Sequence, residues 1–181
     1  MAEGAIKPFE LLLEYERRSL AHGQGGTDEE ATLGDWSGIG FKLGMDYMVS
    51  DVDTVNEVLI LPDVIAIPGI APWVLGLVNI RSNLMPAVDL KLFLTGVPTK
   101  LTKHSRMLVV EQPGGIVGLV VDEVFGQRHF MEASKQEITG DREQGAEQYS
   151  EHAFADNDLN WKIFQVGSLV ADPNFQNAAV R

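Results

Sequence analysis

The chain has 181 residues, 45% of them hydrophobic and 22% charged, with a formal net charge of -12. That length suits one domain or two small subdomains with a sizeable core, and the negative charge disfavours sequence-independent nucleic-acid binding and adsorption to an anionic membrane. Cysteine is absent, which removes disulfides, thiol nucleophiles and thiolate metal sites and fits a reducing compartment.

The first ten residues have no basic region followed by an apolar one, so no secretory signal is read. No apolar run approaches the ~20 residues that a membrane span needs. The expected location is the cytoplasm, with any membrane association arising by recruitment. Residues 8–22 read as a helix: Pro8 suits a first turn, and Phe9, Leu12, Leu13 and Leu20 share roughly one face. Gly23, Gly25 and Gly26 stop it. Residues 23–35 read as a polar linker. The expected organisation is therefore 1–35 for helix and linker, 36–173 for the folded domain and 174–181 for a tail.

From Trp36 the period becomes that of a strand. Ile39, Phe41 and Leu43 alternate with Gly40 and Lys42; Gly44-Met45-Asp46 turns the chain, and Tyr47-Met48-Val49 completes a hairpin. Val55 to Leu61 is extended, as is Ile65-Ala66-Ile67 before Pro68. Leu75 to Ile80 and Leu84 to Leu90 are two strands joined at Arg81-Ser82-Asn83. A helical turn follows over Leu90 to Leu94, then a surface loop over 95–105. Met107 to Glu111 and Ile116 to Val124 flank a Pro113-Gly114-Gly115 turn. Arg128 to Phe130 is extended, and 132–152 reads as loop with a short helix. Trp161 to Val166 is a last strand, Val166 to Val170 a short closing helix, and Asp172-Pro173 ends the pattern. About ten strand-like segments with few helices define a mostly-β fold of sandwich or barrel type.

A search for chemistry returns little. The four histidines, His22, His104, His129 and His152, have no metal-ligand spacing. Nucleophile-elbow, phosphate-loop and dinucleotide motifs are absent. Asp51 and Asp53 lack the later Gly and Glu of a calcium loop. Asp122 and Glu123 are adjacent on an extended chain and point to opposite faces, which suits solvation or a salt bridge better than paired acid-base work. No enzyme, cofactor or metal is expected. Arg81 is a lone charge between two apolar runs, and two readings stay open: an ion pair to Asp89 across the hairpin, or a contact with a protein partner.

The same residues carry a family pattern. Tyr47, Val55-Asn56-Glu57-Val58, Ile67-Pro68, Pro72-Trp73-Val74-Leu75-Gly76, Val78-Asn79-Ile80-Arg81 and Pro86-Ala87-Val88-Asp89-Leu90 form one block. Arg106 to Glu111 and Gly118 to Val124 form a second. Over about residues 36–170 the chain resembles the CheW family, the adaptors of bacterial chemosensory signalling. Its added N-terminal segment and Trp36-Ser37-Gly38 start resemble the PilI-like subtype of type IV pilus and twitching systems. One departure stands out: the family usually places Gly after the motif arginine, and this chain has Ser82, which takes positive φ less readily.

The resemblance implies two five-stranded, SH3-like β-barrels sharing an apolar core. It implies a non-enzymatic adaptor between the cytoplasmic tip of a methyl-accepting receptor and the regulatory domain of a CheA-type histidine kinase, recruited to receptor arrays. By matching position, Val55, Glu57, Gly76, Val78, Asn79 and Arg81 would lie at or near the receptor groove, joined by Val120 and Val121. Apolar residues on the first barrel's outer strands are expected to meet the kinase. The alternatives are a generic SH3-like or OB-like binding module, an adaptor for flagellar chemotaxis, and an enzyme on a small barrel.

Overall fold

Strand β1 (Trp36–Leu43) forms where apolar and small residues alternate, and the Gly44 turn returns it as β2 (Asp46–Asp51). Gly44 has a φ of 65°, which a glycine adopts without steric cost. This structure is a computed structural model, and it describes residues 36–138, 145–156 and 158–178. The chain divides into Met1–Leu33 and Gly34–Arg181, and every element below belongs to the second unit. The expected helix over 8–22 and the linker over 23–35 lie outside the described residues.

After β2 a short 3-10 turn (Val52–Thr54) carries the chain into a second sheet. That sheet holds β3 (Glu57–Ile60), β4 (Val74–Ile80), β5 (Asn83–Asp89), β6 (Arg106–Gln112) and β7 (Gly115–Val121), in the order β3-β6-β7-β5-β4. The chain then returns to the first sheet as β8 (Glu123–Phe130), β9 (Lys135–Glu137), β10 (His152–Asp156) and β11 (Leu159–Ile163). Its order is β8-β1-β2-β11-β10-β9. Both sheets are curled, and the fold is mostly β with two barrel-like subdomains, as the family resemblance implies. One subdomain has six strands rather than five, because three-residue β9 pairs with β10.

Three apolar clusters explain how two small barrels stay together. Val78, Met85, Ala87, Met107, Val109 and Val120 fill the five-stranded barrel. Val49, Phe130, Phe154 and Trp161 fill the six-stranded one. Between them lies a larger cluster drawn from both sheets, including Phe41, Met48, Leu108, Val110, Leu119 and Phe164. In β6 and β7 successive side chains alternate between two buried faces, so both strands read as continuous apolar runs.

The helices close the shared core. Helix α1 (Leu90–Thr95) follows β5 directly, capped by Asp89 and ended by Gly96 at a φ of 72°. Helix α2 (Val166–Ala171) buries Val166, Leu169 and Val170, as the sequence pattern anticipated. Helix α3 (Pro173–Gln176) runs from the last residue of the expected domain into the segment expected as a tail. Asp172 and Pro173 begin a helix there: the Asp172 carboxylate accepts from the Asn174 N–H, and Pro173 takes the first turn. Phe175 is then 3% exposed, stacked 5.5 Å from Trp73.

Two further differences have physical causes. The apolar run 116–124, read as one strand, is broken at Asp122. The Asp122 N–H donates to the Lys42 carbonyl at 3.1 Å, and its carboxylate accepts from the Gly44 N–H at 2.6 Å. These bonds redirect the chain from the second sheet into the first. Strand β10 leaves only a weak mark on the sequence, because its apolar residues, Ala153, Phe154 and Ala155, form a short run between polar neighbours.

Candidate partner-binding site

The β4–β5 hairpin is built around Arg81. The two strands pair from Val74↔Val88 to Ile80↔Asn83, leaving Arg81 and Ser82 as a two-residue turn. Arg81 has a φ of 50° and Ser82 a φ of 70°. Positive φ at both central residues matches the twist of paired strands. Ser82 thus takes a left-handed conformation that glycine adopts freely, and it costs a non-glycine residue about 1 kcal/mol. The turn projects Arg81 into solvent, its side chain 77% exposed.

Arg81 does not pair with Asp89. One η-nitrogen donates instead to Glu57 Oε1 at 2.7 Å. Asp89 lies at the opposite end of β5, six residues from the turn, or about 20 Å of extended chain. It is 3% exposed and fully used: it accepts from the Leu92 N–H, the Thr99 N–H and the Thr99 hydroxyl. The Glu57–Arg81 pair joins elements that the strand order places at the two ends of the sheet. Beside it, Ile65 and Leu77 exchange backbone hydrogen bonds of 2.8 and 2.9 Å across the same seam. Gly76 permits that crossing: its φ is 147°, and a Cβ there would lie 2.2 Å from the Ile65 carbonyl oxygen.

The other expected site residues divide by position. Asn79 is exposed on β4, opposite Leu84. Val55 is half-buried against the shared core. Val78, Val120 and Val121 are fully buried and present no side-chain surface to a partner. Val120 and Val121 point into two different clusters, the five-stranded barrel's interior and the shared core. Their part in any site is to hold the strands that carry it. Residues that composition did not single out surround the seam's subdomain instead: Val58, Ile60, Ile65 and Leu84 are large, apolar and exposed. On β3 the outward positions 58 and 60 alternate with half-buried 57 and 59, a pattern visible only once the strand's bounds are known.

The arrangement offers charge-assisted hydrogen bonds from an exposed guanidinium, on a subdomain that also carries exposed apolar side chains. That is recognition chemistry. No helix among the described residues is long and apolar enough to cross a membrane.

A model of the CheW-like domain matches residues 37–173. The chain is 34% identical over 173 residues to Protein PilI of Pseudomonas aeruginosa, covering 96% of this chain and 97% of that protein. It is 29% identical over 91 residues to a probable chemotaxis protein CheW of Rhizobium etli, covering 50% of this chain and 59% of that one. Among solved structures, that of the scaffolding protein TtCheW from Thermoanaerobacter tengcongensis has a TM-score of 0.63 at 24% identity. It covers 72% of this chain and 88% of that one, a likeness of fold. With the domain model spanning both barrels and a relative similar along nearly the whole length, the chain belongs to the CheW-like domain family, as a PilI-like member.

Proposed function

We propose that the protein is a non-enzymatic scaffold that couples a methyl-accepting receptor tip to the regulatory domain of a CheA-type histidine kinase. The reading is supported by family membership, and the likeness to PilI along nearly the whole chain favours a type IV pilus pathway over a flagellar one. In this account Val55, Glu57, Asn79 and Arg81 face the receptor, with Gly76 shaping the strand beneath them. The exposed apolar side chains Val58, Ile60, Ile65 and Leu84 extend the contact surface. The mechanism is positional: receptor conformation biases the kinase through contacts of different strength in its two states. Weak individual contacts gain strength from an array's multivalency.

The observation that carries this reading is the Glu57–Arg81 pair, set at a tight hairpin turn and open to solvent. An ion pair so exposed contributes under about 1 kcal/mol to folding. Arg81→Ala should therefore leave the thermal midpoint nearly unchanged. It should weaken binding to a purified receptor cytoplasmic tip or kinase regulatory domain about ten-fold in calorimetric titration. Unchanged affinity for both partners, or a variant that fails to fold, would refute the assignment.

A further inference from the structure

Outside the seam just described, the cations of this acidic chain are unevenly placed. Residues 90–110 contain Lys91, Lys100, Lys103, His104 and Arg106 and not one Asp or Glu, in a protein of net charge -12. The fold concentrates this further. Lys42 from β1 joins Lys100, Thr102 and His104 around an open cleft of about 340 Å³, which Asp122 and Glu123 also line. The Lys91 amine lies 3.8 Å from Asp122, whose carboxylate already binds the Gly44 N–H. Among the described residues, Lys100 and Lys103 have no ion-pair partner.

The loop is also shaped rather than slack. Arg106 donates to the carbonyls of Lys103 and Ser105, the Thr102 N–H donates to the Ser105 hydroxyl, and the His104 N–H donates to the Thr102 hydroxyl. Thr99, at the loop's near end, is tied to buried Asp89. Arg106 is thus used as a brace, leaving Lys100 and Lys103 free at the surface. In the same loop Val97 and Leu101 are 54% and 51% exposed.

We infer that this cleft and loop form a second docking surface, for an acidic protein segment bearing apolar side chains. Carboxylates of such a segment meet Lys42, Lys100 and Lys103, its apolar groups cover Val97 and Leu101, and its backbone N–H groups donate to Glu123. The last feature separates a peptide from a nucleic acid: a peptide backbone brings N–H donors to Glu123, and a phosphodiester backbone has none to offer. A membrane surface fits no better. Two apolar side chains make a small inserting face, and the net charge opposes approach to anionic lipid. The cleft shares no lining residue with the Glu57–Arg81 pair, so variants at Lys100 and Lys103 test this assignment apart from that one.

The test uses the full chain and three probes: a labelled twelve-residue peptide alternating Glu and Leu, a labelled duplex oligonucleotide, and vesicles containing anionic phospholipid. Anisotropy should show the peptide binding in a salt-sensitive way. A Lys100→Glu, Lys103→Glu double variant should lose about ten-fold in affinity with its thermal midpoint held. Arg81→Ala should bind the peptide like the parent. Equal peptide binding by parent and double variant, no binding by the parent, or preferential binding of oligonucleotide or vesicles would overturn the inference.

Discussion

Ser82, a non-glycine residue in a tight hairpin turn, shows what such a turn demands. Its φ of 70° lies where glycine is favoured, and the hairpin register holds nonetheless. Two strands of paired backbone and the buried Val78, Met85 and Ala87 outweigh a penalty of about 1 kcal/mol at each turn residue. Ser82→Gly should therefore stabilise the protein by about 0.5–1 kcal/mol, read as a shift in the denaturant midpoint at constant slope. A loss of stability would show that the serine side chain makes a contribution larger than the strain it carries. Arg81 was legible as a residue out of place between apolar runs. Its partner was not, because Glu57 lies 24 positions earlier and only the curl of the sheet brings the two together.

At the scale of elements, Asp89 is the clearest case of a motif residue whose work is structural. It ends β5, caps α1 through the Leu92 N–H, and anchors the following loop through both polar groups of Thr99. A sequence can mark such an aspartate as a helix start, and the hairpin reading competed with that here. Burial decides between them, since a carboxylate with three donors has no need of a distant arginine. Asp89→Ala should cost about 2–3 kcal/mol by losing the cap and leaving Thr99 unpaired. Hydrogen exchange should then quicken in residues 90–99 first. Equal exchange in parent and variant would remove the capping role. The run 116–124 teaches the converse point: its apolar composition hides the break at Asp122, which depends on a hydrogen bond to Gly44, 78 residues away in sequence.

Over the whole molecule, charge is also used as long-range stitching. Lys162 on β11 donates to Asp46 at the start of β2, at 2.9 Å, and to Glu147 in the 3-10 turn Gly145–Tyr149. Burial works against ionising Glu147, yet the Lys162 ammonium holds its carboxyl below the usual range. Burial likewise works against charging Lys162, and its hydrogen bonds to Glu147 and Asp46 hold the ammonium above its usual range. The signs follow by linkage. The depressed Glu147 contributes stability above the ordinary carboxylate value, lost as pH falls through its lower folded value. The raised Lys162 contributes below the ordinary amine value, lost as pH rises through its higher folded one. Lys162→Met should flatten both the acid and the alkaline limbs of stability against pH, followed by urea denaturation. A profile parallel to the parent's would show that the triad has no such effect.

The sequence alone determined the β class, the β1–β2, β4–β5 and β6–β7 hairpins, the closing helix α2 and the family, because each rests on local signals. Period-two alternation, turn glycines and short ordered motifs are written along the chain. Tertiary structure alone decided that Arg81 meets Glu57, that Val78, Val120 and Val121 face inward, and that residues 173–176 pack Phe175 against Trp73. It also gathered Lys42 and the 100–104 loop around one cleft. These outcomes depend on which strands the curled sheets bring edge to edge and which faces they bury, and a contact between residues tens of positions apart leaves no mark on the spacing of either.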